Sequence, residues 1–121
     1  MFSTAGSVIQ YVKSGALRAL AVTTGTPLDA LPDVPSLAKF LPGYDASAWA
    51  GIGAPAKTPV EIVPRLNEEI NAALVDPGMK ARIAELGGIV LAGTPADFGK
   101  FIAEETEKWG KVIRMAGIRA E

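Results

Sequence analysis

Gly15-Ala16-Leu17-Arg18-Ala19-Leu20-Ala21-Val22-Thr23 is the stretch on which the fold turns. Leu17–Thr23 is an apolar run of strand length, too short for a typical helix and set between Gly15 and Gly25, which predicts a buried strand. On its N-terminal side a helix is expected. Ser3 or Thr4 can cap it, Val8, Ile9 and Val12 supply one apolar face, and Gly15 can end it in the left-handed conformation. On the C-terminal side Pro27, Pro32 and Pro35 make residues 25–35 turn-rich. A short helix is expected from Pro35 to Phe40, stopped by Pro42-Gly43. Tyr44–Ala54 then reads as extended, its small residues suited to close packing of another backbone.

Further along, Thr58-Pro59-Val60-Glu61 fits a capping box with proline at the first helical position. Ile62, Val63, Leu66, Ile70, Ala73 and Leu74 follow at helical spacing, with Pro64 expected to bend the first turns. Asp76-Pro77 restarts the pattern as a second helix through Leu86, ended by Gly87-Gly88. Ile89–Ala92 reads as a short buried strand. Thr94-Pro95-Ala96-Asp97 opens a long helix with Phe98, Phe101, Ile102, Trp109, Val112, Ile113 and Ala116 on one stripe, and Gly117 as its stop. Strands alternating with helices predict an α/β fold, a mostly parallel sheet with flanking helices. Pro42–Pro55 is the segment best suited to cross between two bodies.

Composition removes whole classes of chemistry. The chain of 121 residues contains no Cys and no His, which excludes disulfides, zinc sites with His or Cys ligands, Ser-His-Asp triads and Cys-His dyads. A net charge of -1 without blocks of like charge leaves no footprint for nucleic acid or an anionic membrane. No apolar run is long enough for a membrane span, and Met1-Phe2-Ser3-Thr4 lacks the pattern of a signal peptide, so the chain as written is expected in the cytoplasm. Glu104, Glu105 and Glu107 read as a solvated helix face, with Glu104–Lys108 and Glu107–Lys111 paired at the i,i+4 spacing, rather than as acid–base groups. Without a constellation of nucleophile, base and orienting group, no enzyme activity and no cofactor are expected.

An ordered series of short motifs runs through nearly the whole chain: Gly15–Thr23, Leu31-Pro32-Asp33-Val34-Pro35-Ser36, Gly43-Tyr44, Trp49, Gly51, Ala54-Pro55-Ala56-Lys57-Thr58-Pro59, Arg65-Leu66-Asn67, Gly93-Thr94-Pro95 and Trp109-Gly110-Lys111-Val112-Ile113. It resembles the substrate-binding receptors of tripartite tricarboxylate transporters, the Bug family. The resemblance implies a periplasmic receptor with a type II periplasmic-binding-protein fold. Two α/β lobes close on a small carboxylate (a di- or tricarboxylate, an acidic amino acid or an aromatic acid), and the receptor delivers it to a membrane permease. Family members are more than twice this long. The match therefore implies the C-terminal portion: residues 1–43 from the second lobe, 44–55 the interlobe crossing and 56–121 from the first lobe.

The candidate binding residues are Ser3, Thr4, Ala5, Gly6, Thr23 and Trp49. A helix N-terminus at Ser3–Gly6 presents unpaired N–H groups and a positive dipole end to a carboxylate, although the same residues serve equally as a plain helix cap. Thr23 lies at the end of the expected strand, where open α/β sheets bind ligands, or in a polar turn. Trp49 either lines the cleft or packs in the core. A second reading is a self-associating α/β domain, a homodimer that exchanges elements across Pro42–Pro55 and has no ligand of its own.

Overall fold

The computed structural model describes residues 1–119. Four helices carry the fold: α1 (Ala5–Lys13), α2 (Ile62–Val75), α3 (Pro77–Glu85) and α4 (Pro95–Met115). Each of the three helix stops expected at glycine is present, at Gly15, Gly87 and Gly117, all with φ between 65° and 78°. At the end of α3 the N–H of Gly88 donates to Ile83 O (2.9 Å) and that of Gly87 to Ala84 O (2.8 Å). The end of α4 repeats the pattern, Ile118 to Ile113 O and Gly117 to Arg114 O. These are paired closing bonds that a left-handed residue makes possible.

Two helix starts also follow from sequence. Asp76 accepts the N–H of Met79 (2.9 Å) with Pro77 at the first position of α3. At α4 the capping box is complete: Thr94 Oγ1 accepts the Asp97 N–H (3.1 Å), and the Asp97 carboxylate accepts the Thr94 N–H (2.9 Å). The start expected at Thr58-Pro59 is a correction. Pro59–Ile62 forms a turn, with the Ile62 N–H donating to Pro59 O, and α2 begins at Ile62. Pro64 sets this register. A helix begun at Pro59 would need the N–H that Pro64 lacks, whereas from Ile62 Pro64 falls in the first turn, where no N–H has an intrahelical partner. No bend is then needed.

The expected strands are also corrected. Among the described residues no strand forms; Leu17–Thr23 contributes one parallel bridge, Val22 with Ser36. Val22 donates to Pro35 O (2.9 Å) and accepts from the Leu37 N–H (2.8 Å). The next rung toward residue 20 would need an N–H from Pro35, which has none. In the other direction, Leu37–Lys39 coils into a 3-10 turn, which replaces the short helix expected over Pro35–Phe40. Ser36 fixes this corner: its hydroxyl donates to Thr24 O (2.6 Å) and accepts the Ala38 N–H. Ile89–Ala92 has no strand partner among the described residues, which do not by themselves assemble a mostly parallel sheet.

The chain divides into two compact units. The first combines Met1–Gly53 with Ala73–Leu91 and contains α1, the bridge and α3. Its buried apolar residues are Ile9 and Leu28. Gly87 lets α3 end against α1, since a Cβ there would lie 2.8 Å from Ala5 Cβ. The second unit combines Ala54–Ala72 with the residues from Ala92 on. In it Asn71 grips the Gly93 peptide from both sides, Nδ2 donating to its carbonyl (2.9 Å) and Oδ1 accepting its N–H (3.2 Å), while Asn67 Nδ2 adds a second bond to that carbonyl. On α4 the largely buried Glu105 carboxylate accepts from Trp109 Nε1 (2.9 Å) and Lys108 Nζ (3.0 Å).

Candidate functional site

The start of α1 is the most polar of the expected site regions. Thr4 is the N-cap, with extended backbone (φ -69°, ψ 143°), yet its side chain makes no capping bond. The hydroxyl instead lies 2.9 Å from Ser7 Oγ, and Ser3 Oγ lies 3.0 Å from the same atom. Ser7 Oγ donates its single proton to Thr4 O (2.8 Å). A hydroxyl has one proton and two lone pairs, so Ser3 and Thr4 are the donors in this cluster and Ser7 its acceptor. Ser7 is the member that sequence reading missed; its signal was the spacing of three from Thr4, which places both on one helix face.

The backbone N–H groups of Ala5 and Gly6 make no hydrogen bond among the described residues. They are first-turn donors with the positive end of α1 behind them. Ser3, Thr4 and Gly6 are exposed and Ala5 is half-buried. Gly6 keeps this edge bare, and a Cβ there would stand in ordinary contact with Leu86 O at 3.5 Å. Two amide N–H groups can be offered to one anion here, and the Ser3 and Thr4 hydroxyls can join them by turning their protons away from Ser7, the chemistry that suits a carboxylate.

The structure does not draw all the expected residues into this cluster. Thr23 follows the bridge residue, and its carbonyl accepts the Ala46 N–H (2.9 Å), which ties the 23–24 corner to the segment after Tyr44. Trp49, 42% exposed, stands in the irregular extended segment beyond Ala46. A shallow depression walled by Pro27, Pro32, Pro35 and Lys39 occupies the proline-rich loop and includes none of the expected site residues. Among the described residues no group of His, Cys, Asp or Glu is placed to hold a metal ion, and no helix is long and apolar enough to cross a membrane.

The acidic face of α4 is ion-paired with one change of partner. Glu107 meets Lys111 at 2.6 Å as expected, while Glu104 pairs with Lys100 (3.7 Å) and Lys108 turns to Glu105. The swap follows from Trp109, whose indole lies 5.5 Å from the Lys108 ammonium and shares Glu105 with it. The Glu107 carboxyl is held below its ordinary pKa by the hydrogen bond from Lys111 and its charge.

The family profile described as tripartite tricarboxylate transporter family receptor matches residues 1–118. BugT of Bordetella pertussis is 33% identical over 114 residues, 93% of this chain and 35% of BugT. A solved R. palustris protein with adipate superposes with a TM-score of 0.85 at 33% identity, covering 93% of this chain and 38% of that one. The periplasmic binding protein BugD gives the same TM-score at 28% identity, covering 94% and 39%. The chain thus spans about a third of the length of BugT. These neighbours fit a binding-protein fold, although no sheet is assembled among the described residues. Matched along its length by the profile, this chain belongs to the tripartite tricarboxylate transporter family of receptors.

Proposed function

We propose that the chain forms the carboxylate-gripping C-terminal portion of a periplasmic solute receptor that hands small carboxylates to the membrane permease of a tripartite transporter. The observation that carries this reading is the start of α1. The Ala5 and Gly6 N–H groups are unpaired, the Ser3 and Thr4 hydroxyls are held beside them by Ser7, and all sit at a positive helix end. The neighbour with adipate supports a linear dicarboxylate as the first ligand to try. Thr23 and Trp49 are proposed as outer contacts, Trp49 for the apolar middle of the ligand.

The test is a titration of the isotope-labelled chain with adipate, citrate, glutamate and benzoate, followed through amide resonances. Ala5 and Gly6 are expected to shift in a saturable way, and Ser3→Ala with Thr4→Val to remove that shift. A carboxylate panel that leaves both amides unmoved, or moves only residues far from α1, overturns the assignment.

A further inference from the structure

Among the described residues the longest exposed run outside a helix is Ser47–Lys57. Within it the backbone N–H and C=O groups of Ala50–Gly53 make no hydrogen bond among the described residues. Ile52 is 72% exposed, and a Cβ on Gly53 would meet nothing within 4 Å. The Ile52–Gly53 peptide is therefore open to approach. No charged residue occurs between Asp45 and Lys57, so the whole run is neutral and small-sided around Ile52.

These are the demands that an endoprotease makes of a substrate. The enzyme pairs with the segment as with an added strand, which takes free N–H and C=O groups, and it reads side chains in pockets. A helical or paired segment must open first, a cost that exposed, unbonded backbone does not carry. Two other unbonded stretches fall short. Arg18–Ala21 is flanked by the Leu17 N–H bonded to Tyr11 O (2.9 Å) and by the bridge at Val22, with Ala19 and Ala21 half-buried. Ile89–Leu91 lies between the Gly88 N–H bonded to Ile83 O and the clamped Gly93, with Val90 half-buried.

We infer that Ile52–Gly53 is a cleavage site for an endoprotease with a small aliphatic pocket, and that the cut chain persists as a two-piece protein. Ile52 fills the pocket that selects the bond. Gly51 and Gly53 put no side chain in the way of pairing on either side of it. Hydrolysis breaks the C–N bond, adds the hydroxyl of water to the Ile52 carbonyl carbon and leaves the remaining proton on the Gly53 nitrogen. Water is the one co-reactant. The pieces 1–52 and 53–121 divide the first unit between them, since it combines Met1–Gly53 with Ala73–Leu91. The first piece keeps α1 and the second α3. Their packing does not run through the cut: Gly87 closes α3 against Ala5 and the fully buried Ile9. The inference stands apart from carboxylate binding at α1.

The full chain is digested briefly with elastase, whose selecting pocket is small, and the first products are identified by mass spectrometry. The expected products are residues 1–52 and 53–121, which elute together in native buffer and separate in urea. Ile52→Glu, at an exposed position, should leave helix content unchanged. It should slow this cut at least about tenfold, because the pocket would bury an unpaired charge. Ile52→Val, which keeps an aliphatic side chain, should still be cut first at the same bond. A first cut of the parent chain at any other bond, such as after Leu20 or Leu91, overturns the inference. So does an unchanged rate for Ile52→Glu, or separation of the two pieces in native buffer.

Discussion

Gly87 and Gly15 have nearly the same backbone, φ +72° and +78°, in different surroundings. A Cβ at Gly15 would meet nothing within 4 Å, whereas one at Gly87 would lie 2.8 Å from Ala5 Cβ and 3.4 Å from Ile9 Cδ1. Gly15→Ala is therefore expected to cost only the left-handed backbone penalty, about 1–2 kcal/mol. Gly87→Ala should cost that and a further overpacking term of roughly 1–3 kcal/mol, because Ile9 is the buried centre of the unit. Urea midpoints of the two variants measure the difference, and equal losses would show that α3 does not rest on α1 as described. Asp97 makes a separate pH prediction. Its carboxyl is held below its ordinary pKa first by the Thr94 hydroxyl and then by the Thr94 N–H, with Lys100 adding a smaller pull. A depressed folded pKa gives a contribution present above the unfolded value of about 3.9 and lost as pH falls through the lower folded value. The start of α4 should accordingly loosen only in that acidic window, seen as faster exchange of the Thr94 and Asp97 amides. Thr94→Ala should return the Asp97 carboxyl toward its ordinary pKa in a carbon-detected titration.

At the scale of elements, the helices were legible wherever one residue type has one physical use. Asp76-Pro77 and Thr94-Pro95 start helices because a side-chain acceptor precedes a residue whose N–H is not needed, and Gly87 and Gly117 stop them because φ must turn positive. Thr58-Pro59 carries the same local signal, and a proline five residues later decides against it. Pro64→Ala is accordingly expected to be nearly neutral, within about 0.5 kcal/mol, since Pro64 breaks no bond where it stands. Ile70→Pro, in the middle of the same helix, should cost about 3 kcal/mol or more; a comparable loss at Pro64→Ala would put the start of α2 back at Pro59. Strands were less legible, for a different reason. An apolar run states that a segment wants burial, but pairing depends on a neighbour, and Pro35 denies Val22 a second rung. Asn71 substitutes for a strand at Gly93, making with one side chain the two bonds that a neighbouring backbone would make. Asn71→Leu should leave the Gly93 N–H unpaired, its carbonyl keeping only the Asn67 bond, and speed exchange of the Gly93 amide, with little change in helix content; an unchanged exchange rate would contradict the clamp.

For the whole molecule the informative quantity is how little is buried. Ile9 and Leu28 are the buried apolar residues among those described, while Leu20, Ile89, Leu91 and Val60 stand largely in solvent. No local motif announces this, because each exposed residue has the spacing of a core residue. The candidate site has the same limit. The donors at Ser3–Gly6 were legible from helix-start chemistry, but a ligand role for Thr23 was read from the end of an expected strand of which only one bridge forms, and that for Trp49 from its place in the expected crossing segment. Burial has a calorimetric signature that tests the point directly. Unfolding a normally packed chain of 121 residues raises the heat capacity by about 1.5–1.8 kcal/mol/K, because newly wetted apolar surface dominates the change. A chain that exposes 9552 Å², against about 7,500 Å² for two compact bodies of the units' sizes, has less left to expose. Its unfolding heat capacity should fall clearly below that range, with a correspondingly shallow urea slope. A heat capacity already in the normal range would mean that Leu20, Ile89 and Leu91 are covered in solution, against their exposure in the structure.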